Sequence, residues 1–387
     1  VKDELTPRQR VNMALNRQEP DRVPIDLGGT SVTGITMVAY RNLARHLGSP
    51  VPEPRLISKI MQLAHTDERI QLRFDADVRP LYMGTPDNWE DIQIDKETYR
   101  DQWGWVWRKP PSSFYYDLIE SPLAGDISVA DIARYPWPDP TDPGLYRGLK
   151  DQVEHWKSRG DYALAITPVF GLADTSQLLR GFEDWYADVA LNPGIVGAIM
   201  DAVLEYNRAV LERALDLVGD DIDVLEFGDD VTTQSGPMIS PSSYRKLVKP
   251  RHERLFELIH SRSRAKIMYH CCGSAYRFTE DFIEIGVDII NPVQVSAADM
   301  DTARLKAEFG DRISFWGGID TQSVLPHGTE AEVREEVERR IADMAPGGGY
   351  VLAPVHNIQP DVPPENIVAM CDHAKLVGTY PIGIRGE

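Results

Sequence analysis

Lys266-Ile267-Met268-Tyr269-His270-Cys271-Cys272-Gly273 is a short apolar run that ends in residues able to do chemistry. Its first five residues have the length and make-up of a buried strand, and the closing glycine lets the chain turn sharply away. The same figure recurs at residues 23–27, 78–83, 163–167, 224–228, 288–291, 313–317 and 350–354. Most of these runs lead into a stretch of helical period. The clearest helices are 193–218, 241–261, 329–344 and 363–376, several of them with proline in the first turn, where its missing N–H costs nothing. An N-terminal helix opens at Thr6-Pro7.

Eight strands alternating with helices fit either an open doubly wound sheet or a (β/α)8 TIM barrel. The polar residues decide between them. Small or reactive types follow nearly every run: Gly28-Gly29-Thr30, Gly171, Glu226 to Asp230, His270 to Gly273, Asn291, Gly317 to Asp320, and His356-Asn357. Chemistry at the carboxyl ends of all strands is a barrel arrangement, whereas an open sheet gathers it at one switch point. The expected architecture is therefore one α/β barrel domain over residues 1–387, with an N-terminal helix. One segment breaks the rhythm. Residues 87–128 carry Trp89, Trp103, Trp105, Trp107, Phe114, Tyr115 and Tyr116 without helical period. It reads as an inserted β-hairpin excursion, with strands near 92–94 and 103–108, that covers the barrel mouth, makes a homodimer contact, or forms a satellite core.

Composition narrows the partners. The 387 residues include 60 acidic and 41 basic side chains, a formal net charge of −19. A surface that acidic repels phosphate backbones and anionic lipid heads, so neither nucleic acid nor a membrane surface is an expected partner. No run approaches the length of a membrane span, and residues 1–10 are charged. Three cysteines make no disulfide framework, which fits a reducing compartment and a cytoplasmic location. Dinucleotide, Walker, H-E-x-x-H and G-x-S-x-G motifs are absent.

Two constellations carry the candidate chemistry. In an extended strand residues i and i+2 share a face, so His270 and Cys272 project together and both can reach one Zn²⁺, while Cys271 faces away into packing. His-x-Cys is weak evidence by itself. His356, after the last strand, offers a third ligand, and two His with one Cys would leave a position open for substrate, as a catalytic zinc requires. The alternative for His356 is a hydrogen bond to substrate. The second constellation is Glu226, Asp229 and Asp230 at the fourth strand end. Three carboxylates so close are costly unless solvated, paired, or bound to metal or substrate. Glu226 and Asp230 suit a fourth metal ligand, a general acid, or a partner that orients a ligating histidine. Cys371 belongs to the core of the last helix, and His252, His260, His327 and His373 read as surface or helix-end residues.

These residues resemble the uroporphyrinogen decarboxylase superfamily over nearly the full chain. The matching stretches are Thr6-Pro7-Arg8-Gln9-Arg10, Pro20-Asp21-Arg22-Val23-Pro24, Gly228-Asp229-Asp230, Tyr269 to Gly273, Trp316-Gly317-Gly318-Ile319-Asp320 and Ala353 to Pro360. The superfamily's tetrapyrrole decarboxylases are metal-free and grip their substrate with arginines of an N-terminal loop. Here that loop reads Ile25-Asp26-Leu27-Gly28-Gly29-Thr30, with no such guanidiniums. The other branch holds zinc-dependent, corrinoid-linked methyltransferases and O-demethylases, whose His-x-Cys matches His270 and Cys272. A later Cys of that motif is replaced here by His356.

The resemblance implies methyl transfer from a small methylated donor to a corrinoid (cobalamin) carried by a partner protein, with Zn²⁺ held by His270, Cys272 and His356. Glu226, Asp229 and Asp230 are then the expected catalytic carboxylates. Phe170, Trp316, Asp320 and Asn357 are the expected substrate-binding residues, the aromatic ones suiting an apolar or aromatic donor. A thiol in place of the corrinoid, a metal-free decarboxylase, and a barrel that only binds are the competing readings.

Overall fold

The computed structural model describes residues 5–49 and 53–383. Seven parallel strands form one sheet: β1 (Val78–Leu81), β2 (Ala163–Ile166), β3 (Val224–Gly228), β4 (Lys266–His270), β5 (Ile289–Asn291), β6 (Ser314–Ile319) and β7 (Tyr350–Pro354). Each pairs with the next in chain order, as a barrel requires. The eighth stave is the 23–27 segment, and it closes the ring. Ile25 bridges Leu352 in parallel, Asp26 N and Leu352 N exchange bonds with Leu352 O and Pro24 O at 2.9 Å, and Asp77 N donates to Ile25 O at 2.8 Å. It is not a full strand, because Pro24 has no N–H and Ile25 N is spent on the Asp77 carboxylate at 2.8 Å.

Alternation along the strands sorts the core into two layers. Val78, Ala163, Ala165, Val224, Met268, Ile289, Trp316, Val351 and Ala353 pack together in the lumen, and Val11 and Leu15 of the helix Pro7–Leu15 join them. Their neighbours, such as Leu225, Phe227, Ile267, Tyr269 and Phe315, point outward into the larger cluster beneath the helices. The first helix forms where Thr6 and Gln9 make a reciprocal capping box ahead of Pro7.

Two expectations change in detail. The helix expected over 241–261 is Pro241–Ser243, a π turn at Tyr244–Val248, and Lys249–Arg262. Pro250 cannot donate to the preceding turn, and the wider turn absorbs that loss. The excursion is a four-stranded antiparallel sheet, Ile92–Gln93, Thr98–Arg100, Val106–Arg108 and Asp117–Glu120, in place of a hairpin. Trp103 and Trp105 lie in a turn, not in the strand. Asp101 makes that turn by accepting Trp103 N at 2.9 Å, Trp105 N at 3.2 Å and Trp107 Nε1 at 2.8 Å. Among the described residues no single helix is long and apolar enough to cross a membrane.

Candidate metal centre

The lumen alternation sets the centre. Met268 points inward, so His270 does too, one layer higher at the carboxyl end of β4. Gly273 holds the turn that follows at φ +98°, and a Cβ there would stand 2.4 Å from Thr233 O. Cys272 Sγ lies 3.3 Å from His270 Nε2. His356, just past β7, completes a set of three donor atoms within 4.8 Å of one another. Cys271 is buried against Thr232, in the packing role expected of it.

Asn291, at the end of β5, decides which imidazole nitrogen is free. Its Nδ2 donates to Trp316 O at 3.2 Å, so its Oδ1 is the atom that faces His270 Nδ1 at 2.5 Å. His270 Nδ1 therefore carries the hydrogen and Nε2 presents a lone pair toward Cys272 and His356. Burial holds His270 down to about 4 and His356 down to about 3, with His270 adding to the effect on His356. Burial pushes the Cys272 thiol up, and Asp230 nearby pushes it the same way. Two neutral imidazoles and a thiol crowded together, one imidazole oriented from behind, are a donor set that fits a zinc-type cation. Such a cation would reverse the cost of ionising the thiol.

The three carboxylates have three different fates. Glu226 is buried and accepts from Ser31 N and Thr167 Oγ1, both at 2.9 Å, and from Ser31 Oγ. Burial raises it above the usual glutamate range. Asp230 lines a cavity of about 390 Å³ together with Cys272 and His356. Its Oδ1 accepts Cys272 N at 2.6 Å, and burial, with Asp229 adding, pushes it up to about 7. Neither Glu226 nor Asp230 joins the converging donors among the described residues, so the fourth-ligand alternative is not realised in this geometry.

Asp229 requires a correction. It is fully buried and accepts Leu172 N and Ala173 N at 2.9 Å, Asp174 N at 2.7 Å and His252 Nε2 at 2.7 Å. It caps the helix Leu172–Arg180 from behind the strand, with both oxygens engaged by buried helix amides and His252, so it serves the fold and does not face the cavity. His252, expected at a surface, is fully buried as its partner.

The expected substrate residues also separate. Trp316 is wholly inside the lumen, its Nε1 donating to Asp26 Oδ2 at 3.0 Å, so it floors the barrel and does not line the mouth. Asp320 Oδ1 accepts Gln322 N at 2.8 Å, and Thr321 and Gln322 line the cavity in its place. Asn357 does line the cavity and accepts Gly34 N at 2.7 Å. Phe170 is 61% exposed and borders a different groove of about 810 Å³, shared with Trp103, Trp105 and Tyr206. Sequence reading missed Asp174, which accepts Asp230 N at 3.1 Å, and named Tyr115 only as one aromatic of the excursion, without singling out the residue that brings the excursion into the cavity. A position three residues past the helix-opening Gly171 was the available signal for Asp174; Tyr115 was marked only by its place in the aromatic excursion.

Comparison with known proteins gives a consistent result. The family profile described as uroporphyrinogen decarboxylase (URO-D) matches residues 127–376. A uroporphyrinogen decarboxylase of Alkalilimnicola ehrlichii is 24% identical over 376 residues, covering 94% of this chain and 92% of its own. One of Thermus thermophilus is 26% identical over 183 residues, 47% of this chain and 48% of its own. Among solved structures, a methyltransferase from Methanosarcina mazei superposes with a TM-score of 0.66 at 17% identity, covering 96% of this chain and 99% of that one. At that identity the likeness is one of fold.

Proposed function

The chain belongs to the uroporphyrinogen decarboxylase family, and from that premise we propose that it is a zinc-dependent methyltransferase. It takes a methyl group from a small methylated donor and passes it to a corrinoid presented by a separate, cytoplasmic partner protein. One observation carries this reading: His270, Cys272 and His356 converge within 4.8 Å at the barrel mouth, where chemistry in this fold is placed. Bound there, zinc would supply Lewis acidity to the heteroatom that carries the methyl group.

The remaining work belongs to the chain. Asn291 keeps His270 in the tautomer that presents Nε2. Asp230 fixes the Cys272 backbone and holds a proton up to about neutral pH, within the cavity where the demethylated product would need one. Glu226 ties the loop at Ser31 to the end of β2 at Thr167 and closes that side of the mouth.

A metal-free decarboxylase is the second reading, favoured by the name the relatives carry. Against it stands the charge of the site. Among the described residues, the cavity beside Cys272 and His356 is lined by no lysine or arginine, so a substrate with several carboxylates would enter uncompensated. The test is direct. Zinc-loaded protein is mixed with reduced cobalamin and a panel of O-, S- and N-methyl donors, and methylcobalamin is followed by its absorbance. Methyl transfer that is abolished by His356→Ala is the expected result. Chelator-resistant release of CO₂ from a carboxylic acid, with no methyl transfer, would replace this reading with the second.

A further inference from the structure

Among the described residues the excursion reaches the cavity beside Cys272 and His356 through one side chain, whose hydrogen bonds leave a donor over. Tyr115 sits in the turn between Val106–Arg108 and Asp117–Glu120, beside the exposed Phe114, and lines the cavity shared by Cys272 and His356. The turn is fastened on both sides: Ser113 Oγ donates to Tyr115 O at 2.8 Å, and Tyr116 N donates to Ile60 O at 3.0 Å. The Tyr115 phenol oxygen is hydrogen-bonded to Gln359 Nε2, which also donates to Asn357 O at 2.9 Å. A backbone carbonyl can only accept, so the Asn357 contact fixes which end of the Gln359 amide is nitrogen. Both hydrogens of that nitrogen are then committed, one to Asn357 and one to Tyr115. Tyr115 accepts, and its own hydrogen finds no acceptor among the described residues.

We propose that Tyr115 contacts substrate as a hydrogen-bond donor, and that the cavity takes a methyl donor whose departing atom is oxygen. The proposal rests on the methyl-transfer reading above. As the methyl carbon bonds to the electron pair of the reduced corrinoid, the C–O bond breaks and its pair stays on oxygen as an alkoxide or phenolate. The Tyr115 hydroxyl meets that charge as it forms, which is where a fixed donor lowers a barrier most. A departing thiolate accepts hydrogen bonds weakly, and an amine leaving a quaternary ammonium is neutral, so neither requires this donor. Burial, partly offset by Gln359, pushes the Tyr115 phenol up to about 12, so it keeps its hydrogen at neutral pH.

The test compares Tyr115→Phe with the unaltered protein, both zinc-loaded, and uses para-nitrophenolate in the role of the departing oxygen. Binding is read from the shift of the visible band, with zinc content and melting temperature measured alongside. The variant should match the parent in zinc and melting temperature and bind the probe about tenfold more weakly, the loss expected for one hydrogen bond to a charged group. Equal affinity in the two proteins, or no binding by the parent, overturns the proposal. A clear contrast in affinity without any methyl transfer supports Tyr115 as the donor and removes the reading of function on its own. Where transfer is seen, the variant should slow an aryl methyl ether about a hundredfold and spare a methyl thioether; equal slowing of both overturns the proposal.

Discussion

Replacing Asn291 with leucine removes the acceptor that sets the protonation of His270. The two groups are 2.5 Å apart in a buried position, so no water takes over the bond. A buried donor left without an acceptor costs about 1–3 kcal/mol. The hydrogen is then free to move to Nε2, where it occupies the lone pair that the metal needs. Losing the partner behind a metal-ligating histidine typically lowers affinity about 10–100-fold, which is about 1.4–2.8 kcal/mol. The two ranges overlap, so a zinc dissociation constant raised about 30-fold is the working figure. The assay is competition with a coloured chelator at a temperature where both metal-free proteins are fully folded. Asn291→Asp is the companion variant, since a carboxylate keeps the Nδ1 hydrogen in place and should hold zinc at least as tightly as the parent. Unchanged affinity in Asn291→Leu would refute the chain from Asn291 through His270 to the metal.

Three further outcomes follow from the same geometry. Asp229→Ala strips a buried partner from three helix amides and His252, and should cost about 3–5 kcal/mol in denaturant unfolding while zinc per folded chain is kept; a proton-transfer role would instead lower turnover with stability intact. Burial holds His270 down to about 4 and His356 down to about 3, so neither ring should titrate by NMR between about pH 8 and pH 5 in the metal-free protein. Because both folded values lie below the unfolded value of about 6.5, their contribution to stability is full above that pH and is lost as pH falls toward 4 and then 3. The free-energy slope below about pH 6.5 should therefore flatten when both rings are replaced by phenylalanine. Asp230 is pushed up to about 7, chiefly by burial, so a rate that needs its proton falls as pH rises through 7, and Asp230→Asn should remove that limb.

What the sequence carried was the period of the chain. Strands alternate lumen and outer residues, so the end of each inward row could be read directly, and His270, Cys272 and Asp230 stand at such ends, whereas His356 comes two residues past β7, off the inward parity of Val351 and Ala353. Position after a strand was a poorer guide to direction. Asp229 follows the outward row of Phe227 and turns to the helix Leu172–Arg180, where its partners lie 55–57 residues away. Trp316 was expected at the substrate because its ring suits an apolar or aromatic donor, although its place within β6 puts it in the lumen. His252 was misread because its polar partner comes from a different strand end and nothing nearby in the chain announces it. The excursion's aromatic content was visible, but its turn depends on one carboxylate, Asp101, accepting from three tryptophans. Tyr115 could be found only once the fold had brought it to Gln359.

The central claim is that His270, Cys272 and His356 hold a metal. The measurement that tests it most directly is elemental mass spectrometry on protein purified without chelator, beside Cys272→Ala prepared in the same way. The account predicts about one zinc per chain in the parent and near none in the variant, since two imidazoles alone hold zinc poorly. A parent that takes up no zinc even when it is offered, or a variant that keeps the parent's full complement, would contradict it.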